Sequence, residues 1–167
     1  ASYALGAVPV GLLVARAFGV GDIRRHGSGN IGATNVLRAA GRPAALLTLA
    51  GDVTKGYLAV FLGAWVSGGD PRAAAACAVA AVIGNCWSVV LRFRGGKGVA
   101  TGLGAFLWLV PWATLPAALV WLVVTATFRY VSLGSLTATL CVPVGALLLG
   151  EPVASVIAGL AVAGIIV

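Results

Sequence analysis

The distribution of apolar residues limits this chain more than any motif does. Hydrophobic runs fall at about 1–18, 43–66, 73–91, 99–128, 132–149 and 152–167, leaving only short polar stretches between them. As a helix, a run of about 20 such residues matches the hydrocarbon thickness of a bilayer. Only 9% of the residues are charged, against roughly 25% in a soluble domain. So much apolar surface cannot be buried in one small core, and the chain reads as all-α and polytopic. The 24 glycines agree, because small residues let membrane helices pack closely.

The run at 99–128 is too long for a single span of about 20 residues, and Pro111 and Pro116 interrupt its middle. Pro111-Trp112, with Trp108 and Trp121 nearby, reads as an interfacial turn between aromatic anchors. Splitting the run into about 99–112 and 114–128 gives seven transmembrane helices in a single domain, 1–167. Residues 1–18 lack a basic n-region and an A-x-A exit, so they read as a span and not as a cleaved signal. The start at Ala1 and the stop at Val167, inside an apolar run, read as trimming.

Charge orients these helices. With seven spans and the N-terminus outside, the connections 19–42, 92–98 and 129–131 share one side. That side carries Arg16, Arg24, Arg25, Arg38, Arg42, Arg92, Arg94, Lys97 and Arg129, nine of the 11 basic residues. The other side has Arg72, Asp70 and Glu151, while Lys55 falls within a span. The positive-inside rule makes the basic face cytoplasmic, and a six-span count would strand Arg129 on the far side. The net charge of +7 does not indicate nucleic acid, since no basic stripe with interleaved aromatics occurs. Cys77, Cys86 and Cys141 are an odd set without metal spacing and read as buried reduced thiols. A single histidine, His26, argues against a metal site.

Three polar islands lie on the basic face. The first, GSGNIGATNVLR at 27–38, combines Gly27, Gly29 and Gly32 with Ser28, Asn30, Thr34, Asn35 and Arg38. Glycine lets backbone N–H groups converge on a ligand, and arginine offers a fork suited to phosphate. A flexible loop with Asn and Gly in turns is the plainer reading. The second, RFRGGKGVAT at 92–101, sets Arg92, Arg94 and Lys97 around Gly95, Gly96 and Gly98, with Thr101 on the helix that follows. A glycine-rich turn feeding a helix N-terminus is a phosphate cradle, or else a basic loop against lipid head groups. It is not a P-loop, because Leu91 and Gly98 occupy positions that need Gly and Ser/Thr. The third, RYVSLGS, places Arg129, Ser132 and Ser135 at a helix start, where hydroxyls also serve as caps. Asp52 and Lys55 sit inside the second run, where ionisable residues face a partner or a polar cavity. Either Lys55 reaches the anion site with Asp52 orienting it, or the two neutralise each other.

Taken in order, SGNIGATN, GDVTKG, FRGGKGVATG and RYVSLGS resemble the successive signature motifs of the bacterial acyl-phosphate-dependent glycerol-3-phosphate acyltransferases, the PlsY family. The resemblance runs from about residue 3, at YALGAVPVG, to the last span. It implies a seven-span enzyme of the bacterial cytoplasmic (inner) membrane with its active site facing the cytoplasm. Such an enzyme moves a fatty acyl group from acyl phosphate to the 1-hydroxyl of sn-glycerol 3-phosphate, giving lysophosphatidic acid and phosphate. It implies no cofactor, no acyl-CoA or acyl carrier protein, and no partners beyond the substrates and membrane lipids, with a monomer favoured. The H-x4-D motif of other acyltransferases is missing, as His26 has Ile31 five positions on.

Acyl phosphate is an activated anhydride, so the reaction needs two phosphates held close and a hydroxyl aimed at a carbonyl, without a covalent nucleophile. On the resemblance, Lys97, Asn85, Ser28 and Asn30 carry catalysis. Gly27, Gly29, Gly32, Thr34, Asn35 and Arg38 bind phosphate and glycerol. Lys55, Lys97 and the turn of Gly95, Gly96 and Gly98 hold the second phosphate, Arg94 and Thr101 bind substrate beside them, and Arg129, Ser132 and Ser135 close the site. The acyl groove is expected between spans near Trp87, Phe93 and Phe106. Two departures stand out. Where the family has Gly-His-x-[Phe/Trp]-Pro, this chain has GNCWS, with Asn85 for His and Ser88 for Pro. Asparagine cannot take a proton. Either the position is a hydrogen-bonding one with a substrate phosphate accepting the proton, or this is a weakly active variant or a divergent homologue. Cys86 beside it lacks a neighbouring base. The family's basic C-terminal tail does not follow Val167, which reads as trimming or disorder. The rival class is a membrane phosphate or organic-anion transporter, which would place its site at the midplane between repeats, and no repeat is evident.

Overall fold

Proline and glycine decide where the helices break. In the computed structural model, which describes residues 1–167, the regular structure is all helical: α1 Ser2–Ala7, α2 Val10–Ala17, α3 Ala33–Val66, α4 Pro71–Cys86, α5 Val99–Leu109, α6 Pro111–Phe128, α7 Val131–Leu148 and α8 Val153–Ile166. Four stretches are long and apolar enough to cross a membrane: Ala33–Val66, Pro71–Leu91, Pro111–Phe128 and Val131–Leu148. Ser2–Ala17, Val99–Leu109 and Val153–Ile166 are shorter apolar helices.

The boundaries differ from the expected ones in three places. The first run breaks at Val8-Pro9, separating α1 from α2. The run at 99–128 does divide, but at Val110, whose non-helical backbone leaves Pro111 as the first residue of α6; Pro116 stays inside that helix. Pro111 alone makes the break because its missing N–H falls where a helix start has no acceptor. Helix α3 begins ten residues before its apolar run, at Ala33, and kinks at Gly41 (φ 83°) just ahead of Pro43. Thr34, Asn35 and Arg38 are therefore helical and not part of a loop.

Large apolar side chains point outward and small ones inward, the reverse of a soluble core. Trp65 is 75% exposed and Leu148 80%, with Leu46, Leu119, Leu122 and Ile157 also out. The buried centre is mostly alanine and valine: Ala75, Val82, Val110, Ala113, Ala146, Ala158 and Val162 with Phe106. Lipid solvates the outer face, so helix association rests on close contact of small residues. α3 crosses α5 with Gly56 against the Thr101 carbonyl and Gly104 against the Val53 carbonyl; α1 meets α4 through Gly6 at Ala81 and Gly84 at Tyr3. A Cβ at any of these glycines would strike backbone. These tight crossings hold the starts of α3 and α5 at one end of the bundle.

Candidate active site

The loop before α3 is shaped by three polar side chains. Asp22 accepts from the Arg24 N–H at 3.1 Å and from its guanidinium at 2.9 and 2.7 Å, fixing a turn at Ile23–Arg25. Those hydrogen bonds hold the Asp22 carboxyl well below the usual carboxylate range. With its folded pKa depressed, the pair supports the loop throughout the neutral range, and that support is lost only at acid pH. Ile23, fully buried, pins the turn against Leu12, Ala15, Val36 and Leu91. Asn35, in the first turn of α3, then reaches back. Its Nδ2 donates to the carbonyls of Ile23, His26 and Asn30 at 3.2, 2.9 and 2.8 Å, and its Oδ1 accepts from Ser28 N–H at 3.0 Å. Gly27 has φ +55°, and a Cβ there would collide with Asn35 Oδ1. Asn30 Oδ1 accepts from Gly32 N–H at 2.8 Å, turning the chain into the helix.

The second island is tied to the end of α4. Gly95 N–H donates to Cys86 O at 3.0 Å and Gly96 N–H to Asn85 O at 2.9 Å. Gly98, at φ +80°, starts α5 against Val82 and Cys86, where a side chain would not fit. Arg92 and Phe93 both take left-handed backbone, as does Arg129 between α6 and α7. Such conformations in non-glycine residues concentrate at functional sites.

These pieces meet in one cavity of about 1120 Å³. Ser28, Asn30, Gly32, Thr34, Asn35, Arg38, Asn85, Gly96, Lys97, Gly98, Thr101, Arg129, Ser132 and Ser135 all line it. The first residues of three helices open onto it, Gly32–Thr34 of α3, Gly98–Thr101 of α5 and Tyr130–Ser132 of α7. None of the three carries a side-chain cap. Each start therefore presents unpaired N–H groups and the positive end of its dipole, a ready site for an anion. Arg38, Lys97 and Arg129 add cations, and Asp52 is the one carboxylate in the wall. Away from them the cavity is apolar, walled by Leu103, Phe106, Ala117, Leu136, Val142 and Val162. Thr101 is buried at the border between the two halves, its hydroxyl without a protein partner.

Several expected residues lie elsewhere. Gly27, Gly29, Arg94 and Gly95 are outside the wall and shape or flank the loops. Lys55 is outside it too. Buried within the bundle, its Nζ forms an ion pair with Asp52 Oδ1 at 2.7 Å and donates hydrogen bonds to Val8 O at 2.8 Å and Asn85 Oδ1 at 2.9 Å. The arrangement corresponds to mutual neutralisation and not to a lysine reaching an anion. Trp87 and Phe93 face outward, leaving Phe106 alone of the three in the apolar half. Trp121, expected as an interfacial anchor, lines the cavity and donates through Nε1 to Ser135 Oγ at 3.2 Å. Its position eight residues before Arg129, on the helix leading into the third island, was the available signal. Ser88 donates to Ala7 O at 2.7 Å, and His26 is exposed.

A sequence profile described as glycerol-3-phosphate acyltransferase matches residues 1–167. The chain is 52% identical over 150 residues to a glycerol-3-phosphate acyltransferase of Rubrobacter xylanophilus, covering 90% of this chain and 74% of that one. It is 50% identical over 169 residues to that of Aromatoleum aromaticum, covering 100% and 84%. Among solved structures it is similar to PlsY, an integral membrane glycerol 3-phosphate acyltransferase, in its glycerol 3-phosphate form (TM-score 0.93, 36% identity, 99% of this chain and 82% of that one). The lysophosphatidic acid form of PlsY gives a TM-score of 0.91 at 34% identity, with the same coverage.

Proposed function

The chain belongs to the glycerol-3-phosphate acyltransferase family, and from that premise we propose that it acylates glycerol 3-phosphate at the 1-hydroxyl with an acyl phosphate as donor. The observation that carries this reading is the two-part cavity, in which three uncapped helix starts and three cations adjoin an apolar trough. A donor with a phosphate head and a fatty chain matches both halves, and the cationic end has room for a second phosphate.

In the reaction, the 1-hydroxyl oxygen attacks the acyl carbonyl carbon. The carbon–oxygen bond to the phosphate breaks, and lysophosphatidic acid and inorganic phosphate leave. Lys97, the turn Gly96–Gly98 and the N–H groups of α5 hold the donor phosphate and stabilise the charge it gains on departure. Ser28, Asn30, Thr34 and Arg38, with the start of α3, hold glycerol 3-phosphate, and Arg129, Ser132 and Ser135 close the mouth. Asn35 supports that wall through the backbone. The cavity has no histidine, and its one carboxylate, Asp52, is paired with Lys55. The hydroxyl proton therefore passes to a substrate phosphate oxygen. The chain forms one domain of seven spans with its N-terminus outside and this site on the cytoplasmic side of the bacterial inner membrane. It acts as a monomer without a cofactor.

The assay is purified protein with palmitoyl phosphate and labelled glycerol 3-phosphate. Lysophosphatidic acid should form, and Lys97→Ala should lower kcat/KM by roughly 100-fold or more, as removal of a cation from a departing anion does. A wild-type rate no higher than that of Lys97→Ala would sink the reading.

A further inference from the structure

We infer that Asn85 is a neutral hydrogen-bond donor to the bound substrate, and that buried Lys55 is a positioning residue that sets its direction. The inference deepens the function proposed above and rests on it. A lysine ammonium donates and never accepts. Lys55 Nζ meets Asn85 Oδ1 at 2.9 Å, so the amide oxygen must face the lysine; the flipped amide would set N–H against N–H. The lysine is held in place by its ion pair with Asp52 at 2.7 Å and its hydrogen bond to Val8 O at 2.8 Å. Val8 lies at the break between α1 and α2, where its carbonyl accepts from Val10 N–H at 3.0 Å and takes the lysine as a second donor.

With its oxygen fixed, the Asn85 NH2 group is turned away from Lys55. It makes no hydrogen bond to the protein, and Asn85, although 5% exposed, lines the cavity beside Gly96 and Lys97. A bulkier residue than glycine at 96 would crowd this nitrogen, since a Cβ there would lie 2.9 Å from Nδ2. The nitrogen is thus an open donor next to the turn assigned to the donor phosphate. A histidine at position 85 would meet the same constraint. The ring nitrogen facing Lys55 would have to be an acceptor, leaving the other N–H for the cavity. Asparagine and neutral histidine are then equivalent here, and neither is a base.

The test compares Asn85→His, Asn85→Asp and Asn85→Leu with wild type in steady-state kinetics across pH, and in calorimetric binding of glycerol 3-phosphate and inorganic phosphate. The ionisable groups around position 85 are Lys55 and Asp52 of α3, Cys86 beside it, Tyr3 of α1 and Lys97 in the adjoining turn. Asn85→His should show no new rising limb between about pH 6 and 8, where a catalytic imidazole would titrate. Asn85→Leu should lose roughly 10- to 100-fold in kcat/KM and in phosphate affinity, the range for a hydrogen bond to a charged group. Asn85→Asp, with only acceptors, should lose more. The paired variant Lys55→Met with Asp52→Leu removes both buried charges together. It should lose activity, and adding Asn85→Leu to it should cost little further. A rising limb with higher kcat in Asn85→His, or wild-type kinetics and binding in Asn85→Asp, would overturn the inference. The binding arm separates the two readings: an inactive wild type that still binds phosphate, and binds it less tightly as Asn85→Leu, defeats the reaction and leaves the donor role standing.

Discussion

At the scale of single residues, the site depends on which way each donor points. Asn35 is counted among the ligand-binding residues on sequence grounds, and it does line the cavity, but its amide is committed to four backbone groups of the loop 23–30. Asn35→Ala should therefore destabilise the fold by roughly 1–3 kcal/mol, the penalty for leaving buried carbonyls without donors. It should also raise the KM for glycerol 3-phosphate, because Ser28 and Asn30 lose their mount; thermal unfolding in detergent and initial rates would check both. Gly27→Ala should act through the same loop. Its φ of +55° and the collision with Asn35 Oδ1 leave no room for a side chain. Sequence identifies these residues as polar and conformationally free, but not whether the partner is a ligand or a neighbouring carbonyl.

At the scale of elements, most helices follow from local chemistry. Asp70-Pro71 opens α4 with an N-cap, Asp70 Oδ1 accepting from Arg72 N–H at 3.0 Å, and Pro111 opens α6. Asp70→Ala should cost about 1 kcal/mol in unfolding measurements and leave the rate unchanged, since it lies far from the cavity. The early start of α3 was hidden because residues 33–42 mix apolar and basic side chains and dilute any hydrophobic window. The α3–α5 crossing is less forgiving. Gly104→Leu should force apart the two helices whose starts form the cationic end of the cavity. Loss of monodisperse protein in size-exclusion chromatography is the expected result, where Gly164→Ala, which meets nothing, should fold normally.

For the molecule as a whole, the cavity joins a cationic, donor-rich end to an apolar trough within a bundle whose outer face is built for lipid. Arg38, Lys97 and Arg129 are solvent-exposed, so salt should screen them. The KM for glycerol 3-phosphate should rise several-fold between about 50 and 500 mM salt, a range over which the screening length shortens severalfold. Inorganic phosphate should inhibit competitively, and kcat should change little. A KM independent of salt would place the phosphate where these cations do not act.

The sequence by itself determined the membrane class, the division of the long apolar run near Pro111, and the three islands that line the cavity. Each follows from side-chain chemistry and local spacing. What the tertiary structure decided is the direction of the polar groups. Lys55 meets acceptors 47 and 30 residues away, at Val8 and Asn85, and thereby becomes part of the scaffold. Asn85 is left with an open N–H2 for the same reason. A hydrogen bond is fixed by the partner that packing brings within 3 Å, and for these groups the partner lies on another helix.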